Sequence, residues 1–255
     1  MPLKVCLVGA MGKMGRVIAD TLFHGDFSAS VAIMVDPRLA EDGSKELRAF
    51  KDIKEIKDSK IFDVVIDFST PLATMESAAW CMQNKMPMVS GTTGLSKEQL
   101  DKLKVFAKST PIFWSPNMSL GVNLIDALLP QIAEVLQGFE VEIVEIHHGQ
   151  KKDYPSGTAL RFAETLIKLK DGEIIFGRAK GKSDNRPLGE VVVHAIRGGT
   201  VPGEHTIYFL GPDEVIEITH RALSRKIFAL GAIKAAEWVI SKKIGFYNMN
   251  DVLGL

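Results

Sequence analysis

Two groups of residues in this 255-residue chain have the types and spacing to do chemistry. The first is the run Glu145-Ile146-His147-His148-Gly149-Gln150-Lys151-Lys152-Asp153-Tyr154-Pro155-Ser156-Gly157-Thr158. Imidazole exchanges protons near neutrality, and the lysines that follow place fixed positive charge beside that proton donor. Ser156-Gly157-Thr158 has the form of a helix start, whose free N–H groups hold carboxylates. The combination suits a small anionic substrate, for instance a dicarboxylate, that receives hydride and a proton. Two other readings stand beside it. One is a histidine pair that is simply exposed or hydrogen-bonded at a strand end. The other is a metal site drawing on His147, His148, His194, His205 and His220, although no HExxH or CxxC spacing accompanies them.

The second group is the glycine turn Gly9-Ala10-Met11-Gly12-Lys13-Met14-Gly15. Glycines at this spacing permit a tight turn, a close backbone approach to a pyrophosphate, and packing of helix on strand. The N–H groups at the helix start then face the phosphates. Asp36 ends the next strand, where a carboxylate accepts hydrogen bonds from ribose hydroxyls. It argues for NADH, since it repels a 2′-phosphate; Arg38 offsets that repulsion, so NADH and NADPH both stay open. Gly91-Thr92-Thr93-Gly94, Ser115-Pro116-Asn117-Met118 and Asp67-Phe68-Ser69-Thr70-Pro71 also follow strands. They fall at the carboxyl edge of the expected sheet, where open α/β sheets bind ligands. The competing reading is a flavodoxin-like or regulatory fold whose glycine turn binds nothing.

These residues require a particular framework. Val5–Val8, Val31–Val35 and Phe62–Phe68 are short apolar runs of the kind found in strands covered on both faces. Val17, Ile18 and Leu22 recur at helical spacing. A helix over Leu72–Asn84 is expected, with a hydroxyl N-cap before Pro71, followed by a strand over Pro87–Ser90. Ser96–Lys108 reads as a helix opened by a Ser96/Gln99 capping box, and Ile112–Trp114 as the strand that closes the series. Strands separated by helices imply crossovers and a mostly parallel, Rossmann-type sheet. After Asn117 the pattern changes: helix Leu120–Leu136, strand Phe139–Ile146, a helix from Thr158 to about Leu169, then a polar loop over Gly172–Arg186 with room for a short element inside it. Glu190–Ile196, His205–Leu210 and Glu214–Thr219 read as strands, the last two a hairpin across Gly211-Pro212-Asp213. That is a second, α+β domain on an open mixed sheet, followed by a helix over Arg225–Lys242. The expected division is 1–118 plus 226–255 for dinucleotide binding, with the tail returning, and 119–225 for substrate binding and oligomerisation.

Composition narrows the function classes. Lys+Arg equals Asp+Glu, 31 each, so no electrostatic footprint for nucleic acid or an anionic membrane is expected. The two cysteines, Cys6 and Cys81, fall in apolar patterns and read as packing residues. With no stretch of ~20 apolar residues and no leader pattern, a cytoplasmic protein is expected.

The motifs then carry a resemblance. Gly-x-x-Gly-x-Met-Gly-Arg at Gly9–Arg16, Asp-Phe-Ser-x-Pro at Asp67–Pro71, Gly-Thr-Thr-Gly at Gly91–Gly94 and Pro-Asn-x-Ser-x-Gly-Val-Asn at Pro116–Asn123 all occur together. So do His-His-x-x-Lys-x-Asp-x-Pro-Ser-Gly-Thr at His147–Thr158 and Arg-Gly-Gly-x-x-x-Gly-Glu-His-Thr at Arg197–Thr206. The chain resembles, over essentially its whole length, the 4-hydroxy-tetrahydrodipicolinate (dihydrodipicolinate) reductases of the diaminopimelate route to lysine. The resemblance implies reduction of the cyclic 4-hydroxy dicarboxylate to tetrahydrodipicolinate by NADH or NADPH with loss of water. By position it implies His147 as acid/base, Lys151 as second proton donor, and His148 with the Gly157 and Thr158 amides as carboxylate ligands. Gly9, Ala10, Met11, Gly12, Lys13, Met14, Asp36, Gly91, Thr92, Thr93, Ser115, Pro116, Asn117 and Met118 would contact the cofactor. A homotetramer built through the second domain's sheets, and domain closure over the ligands, are implied as well. The chain departs from many members at Gly149-Gln150, where Arg-His is common, at Tyr154, and at Pro37, where an arginine for the 2′-phosphate is common. Another NAD(P)-dependent dehydrogenase of a small anion, or a non-catalytic NAD sensor, are the alternative readings; a sensor needs neither a proton donor nor a second anion site.

Overall fold

The computed structural model describes residues 2–25, 27–39, 48–178, 180–181, 186 and 189–255. Its backbone forms two compact units, one made of Met1–Leu120 with Arg225–Leu255 and the other of Gly121–Ser224.

The first unit is a seven-stranded sheet in which every pairing is parallel. Its strands are β1 (Leu3–Val8), β2 (Ala29–Val35), β3 (Arg48–Phe50), β4 (Val64–Asp67), β5 (Met88–Ser90), β6 (Pro111–Trp114) and, from the far end of the chain, β12 (Gly245–Tyr247). The spatial order is β12-β6-β5-β4-β1-β2-β3, so the direction of winding reverses between β1 and β4. At such a switch point the loops leaving the carboxyl ends diverge and open a crevice. Alternation along the strands supplies both faces. Val5, Leu7, Val64, Ile66 and Phe113 pack with α1 (Lys13–His24) and α6 (Lys226–Val239). Cys6, Val8, Val65, Met88 and Ile112 pack with α2 (Pro71–Asn84) and α3 (Lys97–Phe106). Each fully buried Leu, Ile or Phe among them contributes ~1.5–3 kcal/mol of burial. Both cysteines are free and buried in the second cluster, and burial pushes their thiols up.

The helix starts form as their sequence dictates. Thr70 accepts a hydrogen bond from the Ala73 N–H with Pro71 in the first turn, and Ser96 and Gln99 form the reciprocal capping box. The Phe62–Phe68 run is shortened to β4 because Asp58 caps a 3₁₀ turn over Ser59–Ile61 just before it. Ile112–Trp114 ends the first strand–helix series as β6, and the sheet continues beyond it through β12, with β3 beyond β2 at the other edge.

The second unit carries a five-stranded mixed sheet of order β11-β10-β7-β9-β8. The strands are β7 (Glu140–His147), β8 (Ile174–Phe176), β9 (Val191–Arg197), β10 (Gly203–Leu210) and β11 (Val215–Ala222). β10 is antiparallel to β7 and β11, whereas β9 is parallel to β7 and β8. β8 is the short element inside the Gly172–Arg186 loop; residues 179 and 182–185 of that stretch fall outside the described residues. The helices α4 (Leu120–Val135) and α5 (Gly157–Ile167) cover one face, packing Leu129, Phe162 and Leu166 on Val141, Ile143, Ile207 and Phe209. β7 alternates strictly, so Glu145 and His147 continue the buried face of Val141 and Ile143, while Glu142, Val144 and Ile146 take the other. A last short helix, α7 (Met249–Leu253), opens on an Asn248 capping box. No helix among the described residues is long and apolar enough to cross a membrane.

Candidate active site

In the first unit the glycine turn is an obligatory cradle. Gly9 sits at φ +78°, and a Cβ there would lie 2.3 Å from the Phe68 carbonyl oxygen. A Cβ on Gly15 would lie 2.1 Å from the Gly9 oxygen, so only glycine lets α1 approach β1 this closely. The N-cap of α1 is Gly12, with no side-chain cap, which leaves the helix start to backbone N–H groups. Ala10 is buried, its N–H bonded to the Val35 carbonyl, and Lys13 is the first helical residue. A pyrophosphate fits these features: a dipole end, backbone donors and no side chain in the way.

Two cavities flank the turn. One of about 540 Å³ is lined by Gly9, Gly12, Asp36, Pro37, Arg38 and Lys51 at the ends of β1 and β2. The other, about 380 Å³, lies at the ends of β4, β5 and β6. Met14, Gly91, Thr92, Thr93, Pro116, Asn117 and Met118 line it, with Phe68, Ser69, Arg225 and Phe228. By the geometry of doubly wound sheets the first is placed for the adenosine half of a dinucleotide and the second for the nicotinamide half. Ser115 shapes the second from beneath, donating its hydroxyl to the Asn117 carbonyl at 2.7 Å. Gly91 is required because a Cβ there would meet the Phe68 ring at 2.2 Å.

Asp36 is only 2% exposed and holds a full set of donors. Its two oxygens accept the Met11 N–H at 3.0 Å, the Arg38 N–H at 3.0 Å, and Arg38 Nε and Nη2 at 2.8 Å each. The Arg38 guanidinium therefore holds this carboxyl below the usual range, with the backbone N–H groups helping against the cost of burial. Four bonds fill a carboxylate's acceptor capacity, so a ribose hydroxyl reaches Asp36 only where Arg38 gives way.

In the second unit the decisive group is one that sequence reasoning passed over. Glu145, wholly buried, receives Arg197 in bidentate fashion at 2.7 Å to each oxygen, the Ser156 N–H at 2.9 Å, and His147 Nδ1 at 2.5 Å. Burial alone would push the Glu145 carboxyl up. The bonds from His147, Arg197 and Ser156 outweigh it and bring the group down to about 2. An ionised Glu145 fixes the His147 ring with Nδ1 inward and Nε2 as its other nitrogen. Gly203, at φ +158°, makes room there: a Cβ would lie 2.9 Å from His147 Nε2. His205 stacks edge-on against His147 at 5.2 Å and bonds Ser156 Oγ at 2.9 Å; burial, then the neighbouring His147, lower it to about 3. The signal was present in the sequence as the Glu-x-His spacing, which puts both side chains on one strand face, and as Arg197 in its glycine-rich string.

Lys151, 20% exposed, pairs with both Asp153 oxygens at 2.9 and 2.7 Å. Ser156 caps α5 by accepting the Ala159 N–H, so Gly157 and Thr158 are the first helical residues, at the positive end of the helix dipole. The Tyr154–Pro155 peptide is cis. Of the five histidines considered for a metal, His194 bonds Glu142 at 2.6 Å on the opposite sheet face, while His205 lies against His147 and opposite His220 across β10 and β11. Among the described residues no cluster of three or more His, Cys, Asp or Glu is arranged to hold a metal. Thus the cofactor-type residues all lie in the first unit and His147, His148, Lys151, Gly157 and Thr158 all lie in the second.

Comparison with known proteins gives these features a lineage. The family model described as dihydrodipicolinate reductase, N-terminus, matches residues 3–118, and that of the C-terminus matches 121–253. The chain belongs to the dihydrodipicolinate reductase family. The 4-hydroxy-tetrahydrodipicolinate reductase of Lawsonia intracellularis (strain PHE/MN1-00) is 42% identical over 264 residues, covering 99% of this chain and 100% of that protein. The enzyme of the same name from Aquifex aeolicus (strain VF5) is 42% identical over 267 residues and covers 100% of both. A dipicolinate-bound dihydrodipicolinate reductase from Paenisporosarcina sp. TG-14 shares the fold at a TM-score of 0.81 and 24% identity, over 97% of this chain and 98% of that one. Dihydrodipicolinate reductases are NAD(P)H-dependent oxidoreductases, and the Rossmann-type first unit accords with that.

Proposed function

We propose that this chain reduces 4-hydroxy-tetrahydrodipicolinate to tetrahydrodipicolinate with NADH or NADPH, releasing water. The observation that carries the catalytic part of this reading is the Glu145–His147–Arg197 arrangement, a buried, fixed imidazole whose outer nitrogen is left room by Gly203. A sensor that only binds a dinucleotide has no use for it. When bound, the nicotinamide supplies hydride. The chain's own residues supply the rest of the balance: one proton, so that the substrate's hydroxyl departs as water. His147 Nε2 is the site that holds and moves this proton, with Nδ1 anchored on Glu145. The Lys151 ammonium, held by Asp153, adds a second proton source and positive charge beside it. The Gly157 and Thr158 N–H groups at the start of α5, together with His148, bind a carboxylate of the substrate.

The cofactor is held by Gly9–Met14, by Gly91–Thr93 and by Ser115–Met118, with Asp36 acting through Arg38. Assembly as a homotetramer through the second unit's sheet is part of the same proposal. Its support is that α4 and α5 cover one sheet face only, while Val144 and Ile146 lie on the other. The test is an oxidation assay with NADH and with NADPH, coupled to dihydrodipicolinate synthase and its substrates. Oxidation of at least one cofactor that depends on the synthase is expected; none with either would overturn the reading.

A further inference from the structure

Beneath the cavity at the ends of β4, β5 and β6 lies a carboxylate with an unusual set of partners. Asp67 is the last residue of β4 and has no exposed surface. Four hydroxyls donate hydrogen bonds to its carboxylate. Ser69 Oγ donates to Oδ1; Thr74 Oγ1, Ser90 Oγ and Thr92 Oγ1 donate to Oδ2 at 2.5, 2.9 and 3.0 Å. No lysine, arginine or histidine is among these partners. A buried carboxylate without a cation is costly, and convergent hydroxyl donors are what offset that cost. Burial holds the Asp67 carboxyl above its usual range, with the four hydroxyls pulling against it.

The arrangement has a directional consequence. A hydroxyl has one proton to donate and otherwise accepts. Where Asp67 takes that proton, the oxygen offers only lone pairs to anything else. Thr92 Oγ1 already shows this, accepting the Ser69 N–H at 3.0 Å, and Ser90 Oγ accepts the Thr92 N–H at 3.3 Å. Ser69 and Thr92 both line the cavity. We infer that Asp67 is a positioning residue that sets the Ser69 hydroxyl as an obligate acceptor toward the cavity, so that the cavity selects a ligand presenting N–H donors. On the proposed cofactor reading, on which this inference rests, that donor is the nicotinamide carboxamide. The site then discriminates against a carboxylate at the same position, which has no proton to give.

Isothermal titration of the protein with NADH and with its deamido analogue, nicotinic acid in place of nicotinamide, tests this without turnover. The wild type is expected to bind NADH about tenfold or more tightly than the analogue, the scale of one mismatched buried hydrogen bond. Ser69→Ala removes the acceptor. Asp67→Asn keeps the shape but brings N–H donors of its own, which forces hydroxyls of the cluster to turn. Both are expected to collapse the ratio, with thermal melting reporting that each variant is folded. A wild-type ratio near one, or variants in which both affinities fall together at an unchanged ratio, would overturn the inference while leaving the cofactor reading intact. Failure of the wild type to bind NADH and NADPH at all would sink the cofactor reading itself, and the inference with it. Should Asp67→Asn fail to fold, Ser69→Ala alone decides the matter.

Discussion

Glu145 is where chemistry and stability meet at the scale of a residue. Replacing His147 or Lys151 by alanine should each lower turnover by at least about a hundredfold, the usual scale for general acid–base groups. Cofactor affinity, measured by titration, should persist, because neither residue lies in the first unit. Full activity in both variants would refute the assigned roles. The same cluster sets an acid limit on stability. Glu145 is lowered from 4.5 to about 2 and His205 from 6.5 to about 3 in the folded chain. In both cases the unfolded chain binds more protons over the interval, so stability rises with pH. The contribution of His205 is complete above about 6.5 and fades as pH falls below it; that of Glu145 is complete above about 4.5 and fades toward 2. Denaturant melts should lose on the order of 6 kcal/mol between pH 7 and pH 3, the larger part from His205. His205→Gln should flatten the part of that loss between pH 6.5 and 4.5. An unchanged slope in the variant would show that His205 is not its source. Single residues were readable from the sequence where type and spacing act locally, as with Gly9, Gly12 and Gly15. Asp36 and the offsetting charge of Arg38 were read together, but not that Arg38 fills the carboxylate's acceptors, because a guanidinium folding back over two residues leaves no periodic trace.

At the level of the element, the helices and long strands were legible because burial imposes a period on them. Thr70-Pro71 and Ser96…Gln99 even marked where α2 and α3 begin. β3 and β12, three residues each and too short for a period to show, escaped notice, and β8 was read only as a short element within a loop. They belong to their sheets through partners distant in sequence: Phe246 pairs with Ile112, and Ile175 with Val192. α6 was anticipated as a helix, yet its closest contact was not. A Cβ on Gly231 would lie 1.7 Å from the Met118 carbonyl oxygen, so this helix rests directly on the loop that lines the second cavity. Gly231→Ala must displace one of the two. It should cost about 1–3 kcal/mol in thermal or urea melts, the scale of overpacking. It should also weaken dinucleotide binding, although residue 231 lines neither cavity. A variant that loses stability but binds cofactor normally would show that α6 moves and the loop does not.

On the scale of the whole molecule, the second unit's sheet has one face that α4 and α5 leave uncovered. Ile196 is 47% and Val215 54% exposed, and Ile146 lies in register with Ile196 on β7 and β9. If this face builds the tetramer, light scattering should give four chains per particle, and Ile146→Asp should shift that to smaller species. A wild-type monomer, or a variant still assembled, would move the interface elsewhere. The broad architecture was readable because the change from strand–helix alternation to hairpins near Asn117 is itself a sequence pattern. The interleaving of the units has a consequence for biosynthesis. Residues 121–224 form one continuous stretch, whereas the first unit needs residues 225–255 to fill its core. α6 alone buries Ala229, Ala232, Ile233, Ala236 and Val239 there. On the ribosome, the part bearing His147 can therefore acquire its shape while the part bearing the glycine turn still waits for its missing helix. Competence to capture a dinucleotide thus comes late in translation, and a truncated chain would carry His147 with no completed place for a reductant.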